Sequence, residues 1–155
     1  MLPQFQEKTV VVSPPQSLAD NSTLTCATVD TIGYEYAEFI TMIGVTANAL
    51  SAHKIQQSDQ SNMASPADIS GTVMGTDNND TGSASTLPSA TDDNKAFQTL
   101  VDLRGKKRYL KPSITTPVSA NNTCLISVVC KLSRPHEAPN TAAGSGTAPA
   151  QRMIG

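Results

Sequence analysis

Tryptophan is absent from this chain, aromatic residues are 4% of it, and only 15% of its 155 residues carry charge. Each scarcity removes a class of explanation. Amphipathic helices need a charged face, and here Ser, Thr, Ala, Asn and Gly fill that place; the mix suits short strands with polar outer faces and turns. A net charge of −2 beside 38% hydrophobic residues argues against a disordered chain. No run approaches the roughly 20 apolar residues of a membrane span, so no membrane partner is expected. The opening MLPQFQEKTVVVSPP has no basic segment followed by an apolar one, so a signal peptide is not expected either.

Catalytic ingredients are equally scarce. The two histidines, His53 and His136, stand far apart. A metal-binding cupin needs a paired His-x-His and a following Glu, and neither occurs. Cys-x-x-Cys, G-x-S-x-G and phosphate-loop patterns are missing. Asp77-Asn78-Asn79-Asp80-Thr81-Gly82 opens like a calcium loop, but its twelfth position is Pro88 where a bidentate Glu is required, so it reads as a solvated loop. The expectation is a protein without catalytic residues, metal or cofactor. Of the three cysteines, Cys124 and Cys130 fall on one strand about 20 Å apart, too far to bridge. Cys26 reaches one of them only if their strands adjoin, and buried free thiols are the favoured reading.

What the chain does have is a distinctive stretch from Asn94 to Thr116, NKAFQTLVDLRGKKRYLKPSITT, which holds six of its eleven basic residues. Alternation places Phe97, Val101 and Leu103 on one face of a strand, directed at a core. Arg104-Gly105-Lys106 turns the chain, with Gly105 able to take a positive φ. Lys107 to Thr116 returns as a second strand, in which Pro112 requires an edge or a bulge. The sequence therefore reads as a basic hairpin. Residues 1–94 hold eleven acids against two bases, and residues 95–155 nine bases against two acids. Either the two halves interleave and neutralise each other, or the basic turn docks on an acidic surface of another subunit or protein. With an acidic chain and a single aromatic near the turn, Tyr109, nucleic acid is not expected as a partner.

Taken in order, residues 1–20 read as an arm whose strand-forming part, Phe5 to Val12, is stopped by Pro14-Pro15. Ser22–Asp30 is a strand by composition. Tyr34–Gly44 has helix length, but its Tyr, Phe, Ile and Thr favour strand. Leu50–Ser58 is a strand that turns polar. Ser65–Ile69 fits one helical turn, and Ser70–Met74 a short strand. Gly75–Asp93 reads as a long, exposed, mobile loop. CLISVVCKL, Cys124–Leu132, is nearly continuously apolar and reads as a central strand. From Arg134 the composition is that of a Pro, Gly, Ala and Ser tail. About eight short strands at this spacing make an all-β sandwich. The domain division is an arm at 1–20, a sandwich at 21–133 containing the polar loop 75–93, and an extended tail at 134–155.

The order of short runs also carries a resemblance. A turn ending in Gly33 leads into Tyr34-Glu35-Tyr36-Ala37-Glu38-Phe39. Then come Gly44, ALSAHKIQQSD at Ala49–Asp59, GKKRYLK at Gly105–Lys111, and an apolar strand running into Arg134-Pro135 with Pro139 beyond. Over about residues 20–140 this resembles small jelly-roll proteins encoded beside the major capsid protein of tailed bacteriophages, a family that includes capsid decoration, or cement, proteins. The resemblance implies an eight-stranded antiparallel jelly-roll β-sandwich with extended N- and C-terminal arms. It implies a homotrimer on the outside of the virion head, made in the bacterial cytoplasm, where it clamps neighbouring copies of the major capsid protein. Side-chain chemistry then nominates interface residues: Arg104, Lys106, Lys107 and Arg108 in the basic turn, Phe5 in the arm and Arg134 in the tail. The competing reading is a fibre or spike module that binds host glycans, which needs an aromatic platform made from Tyr34, Tyr36 or Tyr109.

Overall fold

The computed structural model describes residues 7–118 and 123–136. Its strands are β1 (Glu7–Leu18), β2 (Val29–Asp30), β3 (Tyr34–Ile43), β4 (Ala52–Ser58), β5 (Ala67–Asp68), β6 (Lys95–Asp102), β7 (Tyr109–Thr115) and β8 (Cys124–Pro135). One short 3-10 turn, Ala90–Asp92, is the helical element among the described residues. Two antiparallel four-stranded sheets result, ordered β1-β8-β3-β6 and β2-β7-β4-β5. The pairs β1–β8, β2–β7, β3–β6 and β4–β5 are all antiparallel and nest one inside the next.

β8 is the central strand of the larger sheet, as its apolar run suggests, with β1 on one side and β3 on the other. Its alternate residues Cys124, Ile126, Val128, Cys130 and Leu132 are buried. β3 answers the helix-or-strand ambiguity in favour of strand: Ala37, Phe39, Thr41 and Ile43 face inward. From the other sheet Ile55, Leu110 and Ile114 complete the filling. Phe39 is the one fully buried aromatic side chain among the described residues. All three cysteines are free and buried, which bears out the thiol reading. Burial pushes the Cys26 thiol up to about 11 and raises those of Cys124 and Cys130 as well.

Several expectations need correction. The basic stretch is not a hairpin: β6 lies in the larger sheet and β7 in the smaller one, so residues 103–108 cross the top of the sandwich. The interior face is the expected one, with Val101 buried and Phe97 and Leu103 packed against the core. Gly105 does take a positive φ, +71°. Pro112 sits in an inner strand instead of at an edge. Ile114 O accepts from Leu24 N on the side away from β4, so Pro112, of equal parity, turns its nitrogen to that side too. That nitrogen falls in the gap between Leu24 and the two-residue strand β2, where no donor is required.

Pro14-Pro15 does not stop the first strand either. β1 is an edge strand, and its register against β8 slips between Val11 and Ser13 and again between Ser13 and Gln16. The exposed prolines fall inside that bulge, where a missing N–H costs no ladder bond. Residues 7–18 of the expected arm therefore belong to the sheet, and Val10 and Val12 to the core. Ser22–Asp30 is not one strand: it makes a single bridge from Thr23 to Thr115 and pairs as β2 only at its end. Ala67–Asp68 pairs with β4 in place of the helical turn, and Ser70–Met74 forms turns in place of a strand.

Candidate interaction surface

The basic crossover is tied down by acids of its own chain. Arg108 places Nε and Nη2 on the two carboxylate oxygens of Asp30, at 2.8 and 2.7 Å, and its guanidinium stacks on Tyr109. That pairing holds the Asp30 carboxyl below its usual range. Lys107 reaches Asp59 at 2.8 Å, and its backbone N–H donates to Gln57 Oε1. Arg104 folds back on Asp102, whose pKa is drawn down to about 2 by that bond. Lys106 is exposed. Asp30 and Asp59 lie far earlier in the chain, so acidic and basic halves interleave at this end of the sandwich. Arg134, the nominated tail residue, has a positive φ of 54°. It lies over Tyr36 with Nη1 3.5 Å from Glu35. Arg104 and Arg134 thus approach the Glu35–Tyr36 start of β3 from two sides. Phe5 lies outside the described residues.

The two outer sheet faces differ. On the smaller sheet, β4 and β7 turn out Lys54, Gln56, Lys111, Ser113 and Thr115, and Asp68 bonds both Lys54 and Gln56 at 2.8 Å. That is an ordinary solvated face. The larger sheet turns out Val11, Val129 and Ile40, which the strand registers place side by side in one row. Met42 follows on β3, 42% exposed, beside Ala96 of β6. Leu125 follows on β8, 51% exposed, packed so close to Gly44 that a Cβ there would lie 3.2 Å from its own. Toward the crossover the same face becomes charged: Lys131 lies between Glu7 and Glu38, and Gln98 donates to Glu38. The run CLISVVCKL has apolar residues on both faces of its strand; the second apolar face is real, but nothing within the chain covers it among the described residues.

The stretch expected to be a mobile loop is densely bonded. Asp77 Oδ2 accepts from the amides of Gly71 and Val73 at 2.7 and 2.9 Å, and its carbonyl accepts from Ser85. Asn79 Oδ1 accepts from Thr81 and Ser83, closing the tip. Of the side chains in the calcium-like run, Asp77, Asn79 and Thr81 are engaged in holding the loop, and no cluster of three metal-ligating groups occurs among the described residues. Asp77→Ala removes the acceptor for two amides at once. Exchange of the Gly71 and Val73 amides should then accelerate by about tenfold or more, while those of Leu110 and Cys130 stay protected, as read by hydrogen-exchange NMR.

His53 is buried in β4, and its Nε2 lies 3.0 Å from Thr41 Oγ1 of β3. It bridges the two sheets through the core. Nδ1 has no partner. Desolvation holds the ring neutral, with a pKa lowered to about 4. No helix among the described residues is long and apolar enough to cross a membrane. No protein-family model matches the sequence, and no curated protein is significantly similar to it.

Proposed function

We propose that this chain is a structural virion protein that decorates the outside of a tailed-phage head, binds the major capsid protein as a homotrimer and strengthens contacts between shell subunits. The observation that carries the reading is the outward apolar band on the larger sheet, in which Met42 and Leu125 are exposed and Val11, Ile40 and Val129 partly buried. A trimer or a shell contact would remove that band from water, and interfaces in oligomers are built on such patches. The nested strand pairs support a jelly roll, since winding one long antiparallel ribbon into two sheets pairs first strand with last, second with next-to-last, and so on. The sequence resemblance supplies the link to phage heads.

The glycan-binding alternative is weakened by the tyrosines. Each ring has a cation within 6 Å of its centroid: Lys8 at Tyr34, Arg134 at Tyr36 and Arg108 at Tyr109. A sugar stacking on those faces would have to displace the cation.

Copy number in purified particles, measured by quantitative mass spectrometry against the main shell protein, tests the proposal. A ratio within a few-fold of the shell protein is expected. A handful of copies would indicate a fibre or vertex component, and absence from particles would sink the virion reading. At residue level, Met42→Glu and Leu125→Lys should leave the melting temperature of the isolated chain within about 2 °C, because both sites face solvent. Each should weaken particle binding by about tenfold or more if the band is the contact. Wild-type binding by both variants would move the contact elsewhere.

A further inference from the structure

Among the described residues, nothing pairs with the β6 edge of the larger sheet, whose charged residues, Lys95 and Asp102, stand only at its two ends. Leu103 N donates to Glu35 O at 2.9 Å. Backbone groups of equal parity point the same way along a strand, so those of Phe97, Thr99 and Val101 face β3. Those of Ala96, Gln98, Leu100 and Asp102 face away from the sheet. The opposite edge, β1, is guarded by Pro14, Pro15 and two register slips. β6 has no proline, no bulge and no charge between Ala96 and Val101. Native sheets rarely leave an edge so open unless something pairs with it.

This edge forms one wall of a groove of about 420 Å³. Gln98 and Leu100 lie on the strand side, and Met74, Asp77 and Asp80 on the loop side. Leu100 is 70% exposed. The lining holds two carboxylates and no cation. Asp77 is occupied with the Gly71 and Val73 amides, while Asp80 is exposed. The loop wall is itself anchored by those bonds, so the groove is a built feature of the fold. A strand needs about 4.8 Å of lateral room beside its neighbour. With Asp80 exposed and no cation in the lining, a segment that carries a basic residue complements the groove.

We propose that the groove beside β6 takes an extended segment of a partner protein as an added strand, one in which a basic residue alternates with β-branched apolar residues. The peptide backbone pairs with the outward amides and carbonyls of Gln98 and Leu100. An apolar side chain covers Leu100, and the basic one reaches Asp80. Main-chain bonds supply affinity and the side-chain pockets supply specificity. This inference is independent of the decoration reading, since it concerns the edge and not the apolar face.

The probe is a terminally blocked peptide of about six residues alternating valine and lysine, titrated into the full chain and followed by NMR. Binding should slow exchange of the Gln98 and Leu100 amides by about tenfold or more and leave the β1 edge unchanged. The same peptide methylated on alternate backbone nitrogens, which cannot form the ladder, should bind about tenfold more weakly or worse. Asp80→Lys, a change at an exposed loop position, should lower affinity for the unmethylated peptide by about fivefold or more. Equal binding of the methylated peptide would overturn the proposal in favour of plain charge attraction. Absence of binding at millimolar peptide would also overturn it. So would concentration-dependent protection of Gln98 and Leu100 without peptide, because the edge would then belong to a second copy of the chain.

Discussion

Phe39→Ala should lower the unfolding free energy by about 3–5 kcal/mol, the largest effect expected of any single truncation in this chain. Phe39 is fully buried, and its neighbours across the sheet are Thr99 of β6 and Cys130 of β8. In a protein with three phenylalanines and no tryptophan, it is the largest side chain at the centre of the core. The surrounding residues belong to both sheets and are held by ladder bonds, so they relax little into the space left behind. A domain of this size has about 5–15 kcal/mol in total, so the loss is a third or more of its stability. In urea the midpoint should fall by about 1.5–2 M with an unchanged slope. Phe97→Ala is the control. Phe97 is only half-buried on the edge strand, and its truncation should cost less than half as much. A Phe39→Ala midpoint within about 0.5 M of wild type would mean that the residue does not fill the core as described.

Much of this core is legible in the sequence alone. The alternation of Phe97, Thr99, Val101 and Leu103 marks the inward face of β6, and the density of Tyr, Ile, Phe and Thr marks β3 as a strand. What pattern reading misses depends on partners distant in the chain. A short basic turn between two strand-like runs looks like a hairpin because proximity in sequence favours local pairing. The fold goes the other way because β6 is matched residue by residue with β3, from Tyr36–Asp102 to Ile43–Lys95. β7 is matched with β4 over its whole length. The crossover is then fixed by Asp30, Gln57 and Asp59, residues that no local rule connects to Lys107 and Arg108. Pro14-Pro15 is another case: two prolines end a strand that needs both its edges, but β1 needs only one. The candidate surface has a visible signal with two meanings. Apolar residues on both parities of CLISVVCKL mean two covered faces, and the sequence does not say whether the second cover comes from the same chain. The Gly75–Asp93 stretch has few apolar residues and so looks loose. Its order comes from Asp77, Asn79 and Ser85 bonding backbone groups, which composition does not reveal.

Acidification should cost this fold about 3 kcal/mol between pH 6.5 and pH 4, and His53 is the cause. In the unfolded chain His53 titrates near 6.5, while burial between the sheets lowers its folded pKa to about 4. Within that window the unfolded state binds a proton that the folded state refuses, so stability rises with pH and is lost as pH falls. The contribution is fully present above pH 6.5 and exhausted below pH 4. The gap between the unfolded and folded values, at about 1.4 kcal/mol for each pH unit, sets the magnitude. The lowered carboxylates of Asp30, Asp68 and Asp102 act in the same direction, but their unfolded value of 3.8 puts their loss at lower pH. The two effects therefore separate along the pH axis. Urea unfolding of wild type at pH 7, 5.5 and 4.5 should show the midpoint falling steadily. His53→Gln keeps a neutral amide within reach of Thr41 and cannot take the proton. It should begin less stable than wild type at pH 7 and then hold a nearly flat midpoint down to pH 4.5, so that the two curves converge. Parallel curves for wild type and His53→Gln would show that the acid sensitivity arises elsewhere, and that the neutral histidine across the core contributes packing and one hydrogen bond but no proton linkage.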